Sequence, residues 1–425
     1  MILGVTVCLL ILGIFVRSIY LSKFFSCTQI PPFWFLLAFL FKLSCAISLW
    51  LLYTYHYSDR TSADIFKYFD DATSIYEQTK NSVGLRWKII LGIHEDSSIQ
   101  EVISATNYWD KKNIWLYNDN RSLIRLHLII LHLSQGLYHI HTLCFAIVST
   151  IGSMGIFKFL SAKSALPKKM LFVFTFCLPS TVFWSSGPLK ESWLTLLMGL
   201  LLYSFLYINK NLHFKHLTLF LLAIALCVLF LVKTYILIVL AFCLLSLFLS
   251  DRFPKTHPFL IYLGTFSVGV VLTFALQLNP IQILQSTQTE FIALSRSTGV
   301  ENLLTLPKIS YSTDLIVGSA QAMFNVIFGP LYPHAIHPLS LLASIEHIPY
   351  FVILLLPIFF FQRLNKQHNN IGYFLVFFCL LVYLIIGFTT PILGALVRYK
   401  SPLIPFYLAA VFTFVQIAKM KLIRK

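Results

Sequence analysis

Charge is scarce in this chain. Only 11% of its 425 residues are Asp, Glu, Lys or Arg, where a soluble domain carries roughly a quarter. With 58% hydrophobic and 16% aromatic residues, no stretch is left that could form a polar-shelled soluble domain of any size. Acids are scarcer still, 16 against 32 Lys and Arg, for a formal charge of +16. That balance invites a nucleic-acid reading, but the basic residues stand singly or in small clusters between apolar runs instead of forming one stripe. We expect no nucleic-acid partner. CxxC pairs are missing too: the eight cysteines, Cys8, Cys27, Cys45, Cys144, Cys177, Cys227, Cys243 and Cys379, are scattered, mostly in apolar runs, which argues against a disulfide framework or a zinc site. No basic residue precedes the first apolar run, Ile2–Val16, while Arg17 and Lys23 follow it. Those flanks predict a retained first span with its N-terminus outside, not a secretory signal.

What is present is a succession of apolar windows of about 20 residues, the length that crosses roughly 30 Å of hydrocarbon. The sequence predicts an all-α polytopic membrane protein of about eleven spans, over Ile2–Leu21, Pro32–Tyr53, Leu137–Leu160, Met170–Trp184, Ser192–Ile208, His216–Val232, Ile236–Ser250, Pro258–Leu276, Ile348–Phe361, Gly372–Thr389 and Pro402–Ala418. One apolar run, split by Lys233-Thr234-Tyr235, is read as two short helices with a tight turn between. The positive-inside rule puts the basic connections in the cytoplasm: Arg17 and Lys23; Lys158, Lys163, Lys168 and Lys169; Lys210 and Lys215; Arg252 and Lys255; Arg363 and Lys366; and the C-terminal Lys419, Lys421, Arg424 and Lys425. The whole chain, 1–425, is then one integral membrane domain, its C-terminus cytoplasmic. Two long loops face outward, 55–135 and 279–347, each holding juxtamembrane amphipathic helices. Of the 16 acids, ten fall in the first loop, five more lie outward (Glu191, Glu290, Glu301, Asp314, Glu346), and Asp251 alone lies inside.

That sorting gathers every polar motif on one face. "TSADIFKYFDDATSIYEQTK" (Thr61–Lys80) carries Ile65, Phe69, Ala72 and Ile75/Tyr76 at helical spacing, and Thr61 with Asp64 has the spacing of a capping box. Asp64, Tyr68 and Asp71 share a face, with Asp70 turned roughly 100° from it. Either the acids are a solvated surface, or one carboxylate serves as a general base and Asp70 with Asp71 holds a divalent metal such as Mg or Mn. "SSGPLKESW" (Ser185–Trp193) sets Lys190 and Glu191 at a helix start at the outer surface. Lys190 either marks the edge of the lipid or meets an anion, with Glu191 orienting it. Lys233 and Arg398 are lone cations at outer span ends, open to snorkelling or to phosphate binding. Tyr399, Pro402 and Pro405 stiffen the chain beside Arg398. Lys42, deep in the second span, is read as a lysine reaching for the interface. "FGPLYPHAIHP" (Phe328–Pro338) is a further outer cluster. His127, His132, His139, His141, His334 and His337 lie near outer boundaries at irregular spacing, and no metal is assigned to them. Asn120-Arg121-Ser122 has the form of a glycosylation sequon in an outward loop. Tyr108, Trp109, Trp115 and Tyr117 are expected to anchor at the interface or to stack on sugar.

Together, "ADIFKYFDDA" (Ala63–Ala72), "PSTVFWSSGPLKES" (Pro179–Ser192) and "GALVRYKSPLIPF" (Gly394–Phe406) resemble motifs of the short bacterial members of the GT-C-fold, polyprenyl-phosphate-dependent membrane glycosyltransferases. The matching windows cover under a tenth of the chain, although the topology runs its full length. The resemblance implies a bacterial inner-membrane enzyme that takes a sugar from a lipid-linked donor to a glycan or glycolipid acceptor among membrane lipids. It implies Asp64 as base, Asp70 or Asp71 as alternatives, and Lys190, Lys233, Arg398 and Tyr399 at the lipid phosphate with Glu191 in support. The chain departs from the family in lacking a clean Asp-Glu or Asp-x-Asp, in an extra span before the acidic loop, and in having no soluble C-terminal domain. A polysaccharide repeat-unit polymerase shares the same sidedness and lipid-linked substrate. A flippase or transporter would place charges near midplane and often shows internal duplication.

Overall fold

A computed structural model describes residues 2–57, 59–61, 63–93, 97–109, 119–208, 215–297, 303–331, 338–361 and 366–415. Apart from two isolated bridges, regular structure among them is helical. In chain order the helices are α1 (Ile2–Leu21), α2 (Pro32–Leu51), α3 (Asp64–Gln78), α4 (Val83–Leu91), α5 (Ser97–Ser104), α6 (Asp119–Ser134), α7 (Tyr138–Lys163), α8 (Lys168–Phe176) and α9 (Pro179–Trp184). There follow α10 (Lys190–Ile208), α11 (Lys215–Arg252), α12 (Pro258–Ala275), α13 (Pro280–Ser297), α14 (Ser312–Phe328), α15 (Pro338–Phe360), α16 (Lys366–Thr389), α17 (Leu393–Lys400) and α18 (Ile404–Thr413). A π-helical turn, Leu52–His56, continues α2. Proline fixes a φ suited to the first helical turn and lacks the N–H that would be orphaned there, and it opens α2, α9, α12, α13 and α15. Gly92 closes α4 in the left-handed region, at φ 83°.

Among the described residues, seven helical stretches are long and apolar enough to cross a membrane: Gly4–Leu21, Pro32–His56, Tyr138–Lys163, Leu222–Arg252, Thr313–Leu331, Leu339–Phe360 and Asn370–Thr389. The chain is therefore an all-helical polytopic membrane protein. Three features depart from the expected layout. The expected span Met170–Trp184 is two short helices, α8 and α9, separated at Cys177 and the residue after it. Helix α15 begins ten residues before the expected Ile348, running through Pro349 and Pro357. The expected second loop contains α14, whose apolar content hides behind its Ser, Gln and Asn residues. The break at Lys233 is present but confined to that residue, which leaves helical geometry at φ −152°, ψ 76°.

The chain divides into two compact units. The first comprises Met1–Lys158 and Val182–Thr234. Here α7 and α10 meet through glycine: a Cβ on Gly152 would fall on the backbone of Thr195 and Leu196, and one on Gly155 on the backbone of Gly199. Such close approach is how helices pack without a hydrophobic drive between them. Helix α3 lies along α6 and buries Ile65, Phe69, Ala72 and Ile75, the expected stripe, while Tyr76 stays half-exposed. Leu49, Ala63, Ile65, Phe66 and Leu189 form one apolar cluster under it. Lys158 Nζ donates to the carbonyl of Ser26 at 2.6 Å, so two of the basic connections share one end of this unit.

The second unit comprises Phe159–Thr181 and Tyr235–Lys425. Helix α14 packs along α16, where a Cβ on Gly387 would meet the backbone of Ala322. Helix α18 packs against α8, α15 and α16. At one end Asp251 accepts from Lys163 Nζ (2.7 Å) and Asn370 Nδ2 (2.9 Å), which joins three connections of the expected basic side.

Candidate functional site

Asp64 opens α3, where a carboxylate is favoured by the helix dipole. The expected capping box does not form. Ala63 is the cap residue and makes no side-chain cap bond, and Thr61 is held instead by Asp59, whose carboxylate accepts its backbone N–H at 2.9 Å and its hydroxyl at 2.6 Å. Asp64 is half-exposed and takes Lys67 Nζ at 3.2 Å. One turn on, Tyr68 is buried, and its hydroxyl donates to Asn120 Oδ1 at 3.2 Å. The same Oδ1 accepts from Lys190 Nζ at 2.8 Å, and the Lys190 ammonium stands 5.3 Å from the centroid of the Tyr68 ring. The first residue of α10 is thus brought to the middle of the acidic helix, one turn from Asp64. Asn120, at the start of α6, is the hub. Sequence reasoning read it only as a sequon, but its oxygen is engaged inside the protein and Arg121 and Ser122 are buried.

The other two acids are committed elsewhere. Asp71 is 2% exposed, and its two oxygens accept the backbone N–H groups of Asn107 (2.9 Å) and Tyr108 (2.7 Å). Asp70 takes a bidentate grip from Arg60 at 2.8 and 2.6 Å. Both carboxylates thus already accept from N–H donors, Asp70 beside the Arg60 cation, and a divalent metal held by the two would compete with those bonds. Among the described residues no group of three or more His, Cys, Asp or Glu gathers as ligands would. The aromatics expected at the interface include Trp109, which is instead 2% exposed, with Arg121 and Arg125 at 5.8 and 5.3 Å from its ring centroid. Their Nε atoms donate to the carbonyls of Trp109 and Ile89 at 2.7 and 3.1 Å. Burial, with the Arg121 charge adding, lowers Arg125 to about 10. Trp115, Tyr117, His334 and His337 lie outside the described residues.

Lys190 is delivered by a buried non-helical segment. Ser185, Ser186, Gly187, Pro188 and Leu189 are all buried, in contrast to the expected outer surface. Ser192 Oγ donates to the carbonyls of Ser185 (2.8 Å) and Gly187 (2.5 Å), meeting the rule that irregular backbone at membrane depth needs its polar groups satisfied within the protein. Glu191 is 1% exposed. Lys42 does not reach for the interface: it is fully buried and donates to Ser149 Oγ (2.5 Å), Ser153 Oγ (2.9 Å) and Ser185 Oγ (3.1 Å). A polar trio that sequence reasoning left unassigned lies between α6 and α7, where His127 Nδ1 and His141 Nδ1 are 2.8 Å apart and His141 Nε2 is 2.8 Å from Ser134 Oγ.

Lys233 sits at the break in α11, near Leu231, whose carbonyl accepts from Ser122 Oγ at 3.4 Å. Arg398 and Tyr399 belong to the second unit. Arg398 is 9% exposed, and the ring of Tyr399 meets Phe291 edge-on at 6.0 Å. Beside them is a cluster the sequence did not mark. Lys400, 5% exposed, donates to the carbonyl of Val326 at 2.8 Å, and burial brings it down to about 7 against the opposing charge of Glu346. Glu346 accepts from the backbone N–H of Ser180 (2.9 Å), from the Ser180 hydroxyl and from Tyr350 (2.7 Å). No family model, curated protein or solved structure matches the chain, so the argument for function rests on these residues.

Proposed function

We propose that the protein is a membrane glycosyltransferase of GT-C-like build, with about eleven spans, that moves a sugar from a polyprenyl-phosphate carrier to an extracytoplasmic glycan or glycolipid in a bacterial inner membrane. The observation that carries the reading is the Asn120 oxygen shared by Lys190 and Tyr68, one turn from the half-exposed Asp64. A sugar on a membrane-held phosphate cannot leave the bilayer. A base and a cation for the phosphate therefore have to stand together at the water–lipid boundary.

In this reading Asp64 accepts the proton of an acceptor hydroxyl, whose oxygen then bonds the anomeric carbon. The bond from that carbon to the phosphate oxygen breaks, and the charge left on the polyprenyl phosphate is met by the Lys190 ammonium, exchanged from Asn120. Asp71 holds the loop at Asn107 and Tyr108 that flanks the base, and Asp70 with Arg60 fixes the entry to α3. Glu191 supports the start of α10. Lys233, of the same unit, is a further phosphate contact in the scheme, and no step passes through a metal.

A repeat-unit polymerase would call for arginines of the first loop as working groups. Of the first loop's arginines, Arg86, Arg121 and Arg125 are buried and Arg60 is paired with Asp70, whereas Asp64 remains half-exposed, which favours the transferase. The test is transfer from a polyprenyl-phosphate sugar by the protein in nanodiscs. Asp64→Asn is expected to remove transfer with folding intact, and wild-type activity in that variant rejects the base.

A further inference from the structure

Lys42 lies about 15 Å along α2 from Pro32, and Ser149 about 17 Å along α7 from Tyr138, at 1.5 Å per residue. Each is close to the middle of a span. An ammonium there is costly, and an apolar side chain of equal length would pack as well. Among the described residues no carboxylate forms an ion pair with it. Its three N–H groups meet three serine hydroxyls, which leaves none for a phosphate. Two of those serines, Ser149 and Ser153, stand one turn apart on α7. The third, Ser185, belongs to the non-helical segment that leads into Lys190. That segment is held on its other side by Ser192 of α10 and sits so tightly against α2 that a Cβ on Gly187 would overlap the Leu49 side chain.

We propose that Lys42 is a positioning residue: its ammonium, braced on Ser149 and Ser153, latches Ser185 and sets the depth at which the segment presents Lys190 to Asn120 and Tyr68. The consequence for transfer rests on the function proposed above; the latch itself does not.

The experiment is hydrogen–deuterium exchange on the full chain in nanodiscs for wild type, Lys42→Met, Ser185→Ala and the double variant. Met keeps the bulk of the lysine stem, and Ser185→Ala removes one hydroxyl, so that a readable variant remains if the first fails to insert. Each single change is expected to speed exchange of the amides between 186 and 190 by about tenfold, the worth of one charge-assisted hydrogen bond. The double variant is expected to add nothing further, with α3 and α12 unmoved. Unchanged exchange in the segment, additive effects, or loosening spread over α2 and α7 alone overturns the latch. Kinetics on the same variants should show kcat/KM for the lipid-linked donor falling about tenfold with the KM for acceptor unchanged. If wild type transfers no sugar, the proposed function falls while the exchange data still decide the latch. If wild type transfers and the segment is indifferent to Lys42, only the latch falls.

Discussion

Replacing Asp71 separates scaffold from chemistry in the acidic helix. Its carboxylate is buried and accepts two backbone N–H groups, from Asn107 at 2.9 Å and Tyr108 at 2.7 Å. A hydrogen bond to a charged group contributes about 1.5–3 kcal/mol, and a buried donor left without a partner costs about 1–3 kcal/mol. Asp71→Asn keeps the shape and one acceptor oxygen but turns an amide NH2 toward the other N–H. The expected loss is about 3 kcal/mol, local to the junction of α3 with the chain after α5. At 1.36 kcal/mol per factor of ten, that is a fall of roughly 150-fold in protection of the amides at 107 and 108, read by hydrogen exchange. Transfer activity should persist at a reduced level, because the base at Asp64 is untouched. Asp64→Asn should do the reverse, abolishing transfer with protection at 107 and 108 unchanged. The reasoning is refuted if Asp71→Asn leaves those two amides as protected as in wild type, or if it silences transfer without loosening them.

Gly155→Ala would drive a methyl group into the Gly199 backbone and should cost about 1–3 kcal/mol, seen as a lower temperature of unfolding in detergent, while the same change at Gly264, where a Cβ meets nothing within 4 Å, should leave it unaltered. Burial, and then the His141 charge, hold His127 well below the usual imidazole range. Its neutral form is favoured in the folded state, so its contribution to stability is complete above about pH 6.5 and is lost as the pH falls. Protection across α6 and α7 should therefore drop between pH 7 and pH 5, and the double variant His127→Phe/His141→Phe should remove the dependence.

Legibility in the sequence followed the range of the interactions. Helices α1, α2 and α12 are bounded by runs of apolar residues and by prolines, signals carried within a few positions, and their limits agree with expectation to within two residues of Leu21, Tyr53 and Leu276. The buried stripe of α3 was equally plain, since period 3.6 needs no partner to be recognised. The cap of the same helix was not, because Asp59 competes for Thr61 at closer range than Asp64 does. Asp71 was grouped with the chemically available acids because its partners are backbone N–H groups 36 and 37 residues away, which leave no mark in the side-chain sequence. Lys42 is the extreme case. Its three serines lie 107, 111 and 143 positions distant, each an ordinary residue where it stands. Lys190 was found from its neighbours Gly187 and Pro188, but its acceptor Asn120 needed the packing of α3 against α6.

Helix α14 decides the sidedness of everything after it. By composition Thr313–Leu331 is able to cross, and a crossing there would put Arg398 on the opposite face from the acidic helix. Its contacts are with α16, α15 and the segment around Lys400. A Cβ on Gly318 would meet the Phe388 ring, and one on Gly387 the Ala322 backbone, both at the Thr389 end of α16. Val326 takes Lys400, just beyond that end. Pro330, past the C-terminus of α14, accepts from Ser344 in the first turns of α15, at 2.7 Å. Phe328 also meets Phe351, in the middle of α15, at 5.2 Å; a spanning helix of this length would reach about 25 Å. On the layout expected from the sequence, a flat α14 would leave an even number of crossings between residues 70 and 398 and put both on one side, and a crossing α14 would put them on opposite sides. Single cysteines placed at 70, at the exposed Gly394 on the helix of Arg398 and, as a control on the Lys163 end, 370 should be labelled by a membrane-impermeant maleimide in the pattern of 70 with 394 and against 370 if α14 lies flat. Labelling that pairs 394 with 370 makes α14 a crossing helix, and it removes Arg398 and Tyr399 from any reaction in which Asp64 takes part.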